Sequence, residues 1–169
     1  MKKIIIPIST LFVVGISHAQ TLSTNENYVY SKTYLTDPTS STPKSVESVQ
    51  YFDGLGRPKQ VVNIKASPLQ RDVVTHIEYD AFGRQVKDFL PVPQSGTANG
   101  AIVTNPLGNA TQTDIYGSEI IFSKKEFENS PLDRVLEQKQ VGQAWSDKPV
   151  KFNYDANADG EVKKICSYV

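Results

Sequence analysis

Tyr51-Phe52-Asp53-Gly54-Leu55-Gly56-Arg57 is followed 27 residues later by Glu78-Tyr79-Asp80-Ala81-Phe82-Gly83-Arg84. Aligned, both stretches read aromatic, Asp, two residues, Gly, Arg. A weaker pair repeats the 27-residue offset: Glu126-Phe127-Glu128-Asn129-Ser130-Pro131-Leu132-Asp133-Arg134-Val135, then Asn153-Tyr154-Asp155-Ala156-Asn157-Ala158-Asp159-Gly160-Glu161-Val162, each with two extra turn residues. Self-similarity at a fixed period marks an array of like supersecondary units. Each unit has the composition of a β-hairpin. The aromatic ends the first strand on a buried face, and the Asp accepts hydrogen bonds from the turn amides. Gly supplies the positive φ of the reversal, and Arg opens the return strand. From there the Arg reaches the Asp of its own or a neighbouring unit as a bidentate pair. The residues expected to carry the repeat are Phe52, Asp53, Gly56, Arg57, Tyr79, Asp80, Gly83, Arg84, Phe127, Arg134, Tyr154, Asp155 and Gly160. A motif whose charges satisfy one another suits a structural repeat, whereas a catalytic site keeps a group available to substrate.

Outward from these turns the chain alternates at period two. Val73, Thr75, Ile77 and Tyr79 share one face, and Val74, His76 and Glu78 the other, a polar face on which the imidazole is expected to be solvated. Val150, Phe152 and Tyr154 alternate in the same way, and Ile120 to Phe122 and Val135 to Val141 are further β-compatible runs. Between Ser123 and Gln140 a loosely helical spacing is broken by Asn129-Ser130-Pro131, so strands are predicted throughout. Residues 20–48 read as a polar segment, with a linker at Asp37 to Pro43 and a short strand around Tyr28-Val29-Tyr30 and Lys32 to Leu35. A β domain is placed at 49–166, with a long loop at about 91–118 broken by Pro91, Pro93, Gly96, Gly100, Pro106, Gly108 and Gly117. A loop of that length is expected to be mobile or to hold a short irregular insert. The predicted fold is all-β: antiparallel hairpins in an open sheet or partial β-shell, with long irregular loops.

The first residues read differently. Lys2 and Lys3 precede the mainly apolar Ile4 to Ile16, and Ser17-His18-Ala19 presents small residues at a cleavage site before Gln20. Residues 1–19 therefore read as a secretory signal peptide cut between Ala19 and Gln20. The apolar stretch is shorter than the roughly 20 residues a spanning helix needs, so no membrane span is expected after cleavage. The chain of 169 residues holds 18 basic and 18 acidic residues; cleavage removes two Lys and no acid, leaving 16 against 18. With no basic excess, nucleic acid is not an expected partner. His76 is the one histidine left and Cys166 the one cysteine, which excludes a Cys/His zinc cluster and a disulfide framework.

At Tyr79-Asp80-Ala81-Phe82-Gly83-Arg84 the sequence resembles the YD-repeat, or RHS-repeat, family of bacterial surface and secreted proteins. It is more specifically similar to an uncharacterised N-terminal domain (domain of unknown function 6443) that precedes the repeats in many large RHS proteins. The likeness runs from about Asn25 to Ile165, and Val49-Gln50-Tyr51-Phe52-Asp53-Gly54-Leu55-Gly56-Arg57-Pro58-Lys59-Gln60-Val61 is its most specific phrase. The resemblance implies a β-sheet shell wound around a C-terminal cargo, often a toxin. Nothing in this sequence corresponds to the bulk of the shell, its core or a toxin, so the similarity is to the N-terminal segment of such a protein, expected as a truncated or split product or as a fragment of a longer reading frame. Neither autoproteolysis nor toxin activity is carried over.

Asp155, Asn157 and Asp159 with Gly160 match the first half of a calcium loop, but position 12 falls on Cys166 where a bidentate Glu is needed. An Asp/Asn-rich turn is the expected state, and no metal or cofactor is assigned. Cys166 is expected to be a small half-buried residue of a terminal strand. Trp145, with Tyr28, Tyr30, Tyr34 and Tyr116, offers an aromatic platform for sugar rings; in a small β domain such aromatics, and above all a single Trp, are expected in the core. No pair of acids stands out for hydrolysis. The expected function is non-enzymatic: an exported structural or interaction domain at the cell surface, in the medium or in the periplasm. Its partners are further YD repeats or a partner chain. The alternative is an independent surface module that binds glycans.

Overall fold

The computed structural model describes residues 22–158. The predicted signal peptide with its Ala19–Gln20 cleavage site, and Asp159, Gly160 and Cys166, lie outside the described residues. The period-two runs become β1 (Asn27–Tyr34), β2 (Ser45–Phe52), β3 (Pro58–Asn63), β4 (Val73–His76), β5 (Lys87–Phe89), β6 (Val92–Pro93), β7 (Phe122–Phe127), β8 (Val135–Lys139) and β9 (Val150–Lys151). A short 3-10 turn, Gln143–Trp145, separates β8 from β9. Among the described residues no helix is long and apolar enough to cross a membrane. The fold is all-β, antiparallel and open, as the alternation predicts.

Two sheets share the strands. Sheet one has the order β1-β2-β3-β4-β6 and sheet two the order β5-β7-β8-β9. The hairpin β2–β3 lies wholly in sheet one and β7–β8 wholly in sheet two. The unit between them is divided: its first arm is β4 in sheet one and its second is β5 in sheet two, joined by the single bridge Ile77 to Asp88. Both complete hairpins carry a register shift at the motif aromatic, between Tyr51 and Phe52 and between Glu126 and Phe127. Such a bulge increases local twist and re-aims the side chain next to it. The expected division at residue 48 falls inside β2, so the polar segment and the β domain share one sheet.

The core lies on one face of sheet one. Val49, Val62, Val74 and Val92 stand side by side on adjacent strands, with Tyr51 beside them, and all are essentially inaccessible to water. This corrects the expected polarity of β4. Val74 faces Val62 and Val92 across the ladder, so the even positions point inward and Val73 and Thr75 turn to the half-exposed face. His76 follows Val74 onto the covered face and is half-buried, its ring 5.3 Å from that of Phe89.

The face is covered by the stretch expected to be a mobile loop or short insert. Residues 94–110 instead form an irregular lid fastened by side-chain hydrogen bonds. Gln60 donates to the Val103 carbonyl at 2.9 Å and accepts from the Val103 amide at 2.8 Å. Fully buried Asp72 accepts from the amides of Lys65, Asn99 and Gly100 at 3.0, 3.1 and 2.9 Å. The Tyr51 hydroxyl donates to the Gly100 carbonyl at 2.7 Å, and Gln94 donates to the Pro106 carbonyl at 2.9 Å. Ile102 and Val103, with Leu22 and Ile64, pack on the valine cluster. A lid without regular ladders leaves its backbone groups unpaired unless side chains supply partners, and buried Asp72, Gln60 and Gln94 do so.

Candidate functional site

The first two motif turns have the same geometry. Asp53 accepts from the amides of Leu55 and Arg57, both at 2.9 Å, and Asp80 from those of Phe82 and Arg84, both at 2.9 Å. The Arg guanidinium then closes a bidentate pair on the second carboxylate oxygen: Arg57 through Nε and Nη2 at 2.8 Å, Arg84 through Nε at 2.9 Å and Nη2 at 2.8 Å. The Asp amide donates to the Arg carbonyl in each turn. Gly56 and Gly83 reverse the chain at φ 76° and 81°. The arginine amide is the main cause that holds each carboxyl below the usual Asp range, the guanidinium adding to it against the opposing effect of burial.

The third turn reaches the same end with other residues. Glu128 replaces Asp, accepts Arg134 Nε on both oxygens at 3.0 Å and pairs with Arg134 Nη2 at 2.9 Å. Two extra residues lie between acid and arginine, and the additional methylene of Glu extends its reach. Asp133 stands where the other units have Gly, at φ 50°. Asp tolerates this left-handed conformation better than most residues. The Arg134 side chain, then Ser130, hold the Glu128 carboxyl below its ordinary range. The aligned fourth turn begins at Tyr154 and Asp155 and passes out of the described residues before Gly160. Asp155 and Asn157 are exposed, and Asp159 of the calcium half-motif is outside the described residues.

Each arginine also lies on the aromatic ring of the next unit. The Arg57 guanidinium sits 4.4 Å from the Tyr79 ring centroid, Arg84 4.8 Å from Phe127, and Arg134 5.0 Å from Tyr154. Where that aromatic is Tyr, its hydroxyl donates to the carbonyl just after the arginine: Tyr79 to Pro58 at 2.9 Å and Tyr154 to Val135 at 3.0 Å. Arg84 reaches further and pairs with Asp133 of the next turn at 2.6 Å, the main cause that raises its pKa, with Asp80 second. The result is a relay from Asp53 to Tyr154 that ties sheet one to sheet two. The motif aromatics were expected on a buried face. Phe52, Tyr79 and Phe127 are half-buried and Tyr154 is exposed, because the ring faces of the last three are covered by guanidinium and not by core.

The relay lines one open groove of about 640 Å³ between the second and third turns, with Phe82, Arg84, Phe127, Glu128, Pro131 and Asp133 on its walls. The platform aromatics depart from the expected burial. Trp145 is 52% exposed on the 3-10 turn, and Tyr28, Tyr30 and Tyr34 are 41, 37 and 47% exposed on β1. Tyr116 is half-buried, its hydroxyl donating to the Pro91 carbonyl at 2.8 Å. These rings do not converge: the tyrosines of β1 are on sheet one, and Trp145 follows β8 of sheet two. Among the described residues no group of three or more His, Cys, Asp or Glu is placed to hold a metal ion.

The sequence places Glu128 and Asp133 inside the third unit, but not among the residues expected to carry the repeat. Glu128 directly follows the motif aromatic, which is the position Asp holds in the other units. Asp72, Gln60 and Gly100, which hold the lid, carry no local signal.

The family model described as Domain of unknown function (DUF6443) matches residues 22–157, which include the first three turns and the beginning of the fourth. No curated protein and no solved structure matches the chain.

Proposed function

The chain belongs to the DUF6443 family, and from that premise we propose that it is a non-enzymatic, exported structural domain forming the N-terminal segment of an RHS, or YD-repeat, protein. The single observation behind this reading is the relay. Every arginine of the three turns is engaged twice, by its own acid and by the next aromatic. Each unit therefore completes its neighbour, as in a quasi-one-dimensional array whose stability resides in nearest-neighbour contacts. The relay runs toward the C-terminal side, where β9 is the outermost strand of sheet two among the described residues and Leu136, Val150, Phe152 and Tyr154 are exposed. A following YD repeat has there a strand edge to pair with and apolar side chains to cover. Export rests on the Lys2-Lys3 and Ile4–Ile16 pattern with Ala19 before Gln20.

A fusion of the chain to two consecutive YD repeats tests the proposal. A single cooperative unfolding transition with a higher midpoint than the chain alone is expected. Two independent transitions, the first unchanged, overturn it.

The exposure of Trp145, Tyr28, Tyr30 and Tyr34 favours one second reading, an independent carbohydrate-binding surface module. Lys148 lies 5.7 Å from the Trp145 ring centroid, and stacking on a sugar would compete with it. A glycan array with no binding above background sinks this reading.

A further inference from the structure

The outer strand of sheet one, β1, has no strand on its far side among the described residues, and all eight of its residues are exposed. Natural edges of this kind are blunted by prolines, bulges or charges. β1 has none of the first two. Asn27-Tyr28-Val29-Tyr30-Ser31-Lys32-Thr33-Tyr34 contains no proline, pairs with β2 in unbroken register, and carries one charged side chain, Lys32, bound to Glu47 at 2.9 Å.

Hydrogen-bond direction fixes which residues face outward. The Leu35 amide donates to the Lys44 carbonyl at 2.8 Å, so the odd-numbered residues of this strand turn their backbone groups toward β2. In an antiparallel ladder direction alternates, which leaves the amides and carbonyls of Tyr28, Tyr30, Lys32 and Tyr34 pointing to the open edge. Their side chains lie on the core face of the sheet, opposite Tyr51, Val49, Glu47 and Ser45. The lid covers Val49 and Tyr51 through Gly100, whereas Tyr28, Tyr30 and Tyr34 are exposed. Among the described residues the apolar face thus continues onto an exposed shelf of three tyrosines.

We propose that β1 pairs with β1 of a second copy of this chain, antiparallel, about a twofold axis at Ser31. This register alone pairs all four outward-facing residues with one another. It sets Tyr28 opposite Tyr34 and Tyr30 opposite Lys32, each twice, with Val29 opposite Thr33 and Ser31 opposite Ser31. Aromatic pairs and a cation against an aromatic ring are both favourable across strands. Sliding by two residues in one direction sets Lys32 against Lys32, a like-charge pair. Sliding in the other carries Tyr34 past the end of the strand, opposite Glu26, which is already bound to Lys59. A one-residue slip opposes outward with inward groups and turns the tyrosines to the wrong face. In this one register every outward-facing residue of the strand is matched by another and no like charges meet, which makes a second copy a better fit than an unrelated strand. The two sheets merge into one, and the two tyrosine shelves become continuous. This interface is an edge of sheet one, whereas β9 is an edge of sheet two, and it does not depend on the repeat-array reading.

Sedimentation velocity on the purified chain, with site-specific crosslinking, tests the proposal. The wild type is expected to be a concentration-dependent dimer. Tyr30→Lys sets like charges opposite Lys32 at both symmetric positions and is expected to weaken the dimer at least ~10-fold. Should Tyr30→Lys fail to fold, the cysteine variants still decide. In a Cys166→Ser background, Ser31→Cys brings the two thiols together at a non-hydrogen-bonded pair, where opposed Cα atoms are about 4.5 Å apart, and mild oxidation is expected to yield a covalent dimer. Thr33→Cys faces Val29 of the second copy and is expected to stay uncrosslinked. A monomeric wild type, equal crosslinking of both cysteine variants, or dimer formation only with a glycan added would each overturn the proposal.

Discussion

Gly100 brings the lid backbone against the core, and its replacement by Ala separates two physical effects. Its φ is 77°, and an added Cβ would meet Ile64 Cδ1 at 2.7 Å and Ile64 Cγ1 and Val49 Cγ2 at 3.0 Å. The left-handed backbone costs an L-residue about 1–2 kcal/mol. Overpacking against a buried valine and the isoleucine beside it costs about 1–3 kcal/mol more. Together, Gly100→Ala is expected to lose roughly 2–5 kcal/mol. Two other glycines provide the controls. Gly56 has φ 76° with nothing within 4 Å, so Gly56→Ala incurs only the backbone cost, about 1–2 kcal/mol. Gly54 has open space and no positive φ, so Gly54→Ala is expected to be neutral or to gain about 0.4–1 kcal/mol by restricting the unfolded chain. Urea denaturation resolves the series: at a slope of about 2 kcal/mol per M, a loss of 3 kcal/mol moves the midpoint by ~1.5 M. If Gly100→Ala proves no worse than Gly56→Ala, the lid does not press on Val49 and Ile64, and the account of the core given above is wrong.

Three further outcomes are expected. Asp72→Ala removes the buried acceptor of the amides of Lys65, Asn99 and buried Gly100, for a loss on the order of 3 kcal/mol; hydrogen exchange on Asn99 and Gly100 should accelerate, and unchanged exchange would contradict the assigned role. Phe127→Tyr places a hydroxyl where Tyr79 and Tyr154 already donate to the carbonyl after the preceding arginine; thermal denaturation should show a gain of up to about 1 kcal/mol, and a destabilised variant would mean that the Gln85 carbonyl is not placed as its counterparts are. Asp53 and Asp80 have native pKa values lowered mainly by the backbone amides of Arg57 and Arg84, so their stabilisation is complete above the unfolded carboxylate value of about 3.9 and is lost as pH falls through the lower native value. Urea midpoints measured from pH 7 to pH 2 should therefore fall less steeply for the Asp53→Asn, Asp80→Asn double variant than for the wild type, and parallel curves would refute the assignment.

The hairpins were legible because their information is local. Asp, Gly and Arg within five residues specify a turn through contacts that span four positions, and the strands beside them show their period directly. Glu128 and Asp133 were harder, since a longer acid and a non-glycine residue at positive φ together restore a geometry that neither residue announces. The orientation of β4 was misread because the run from Val73 to Tyr79 has apolar residues on both faces. Alternation alone does not say which face a lid will cover, and the choice was made by Val62 and Val92 across the ladder. Trp145 is expected inside from its type alone, whereas its place is on an exposed 3-10 turn after β8.

The sequence by itself determined the repeat unit, its turn chemistry and the all-β antiparallel class, because those depend on residues a few positions apart. Only the tertiary structure decided that the second unit is split between two sheets, that each arginine covers the next unit's aromatic, and that residues 94–110 close the core while β1 stays open. These outcomes rest on contacts between residues distant in the chain, such as Tyr51 with Gly100 and Gln60 with Val103. A pattern of period two cannot encode such contacts, since it fixes the face on which a side chain stands and not what arrives to cover it.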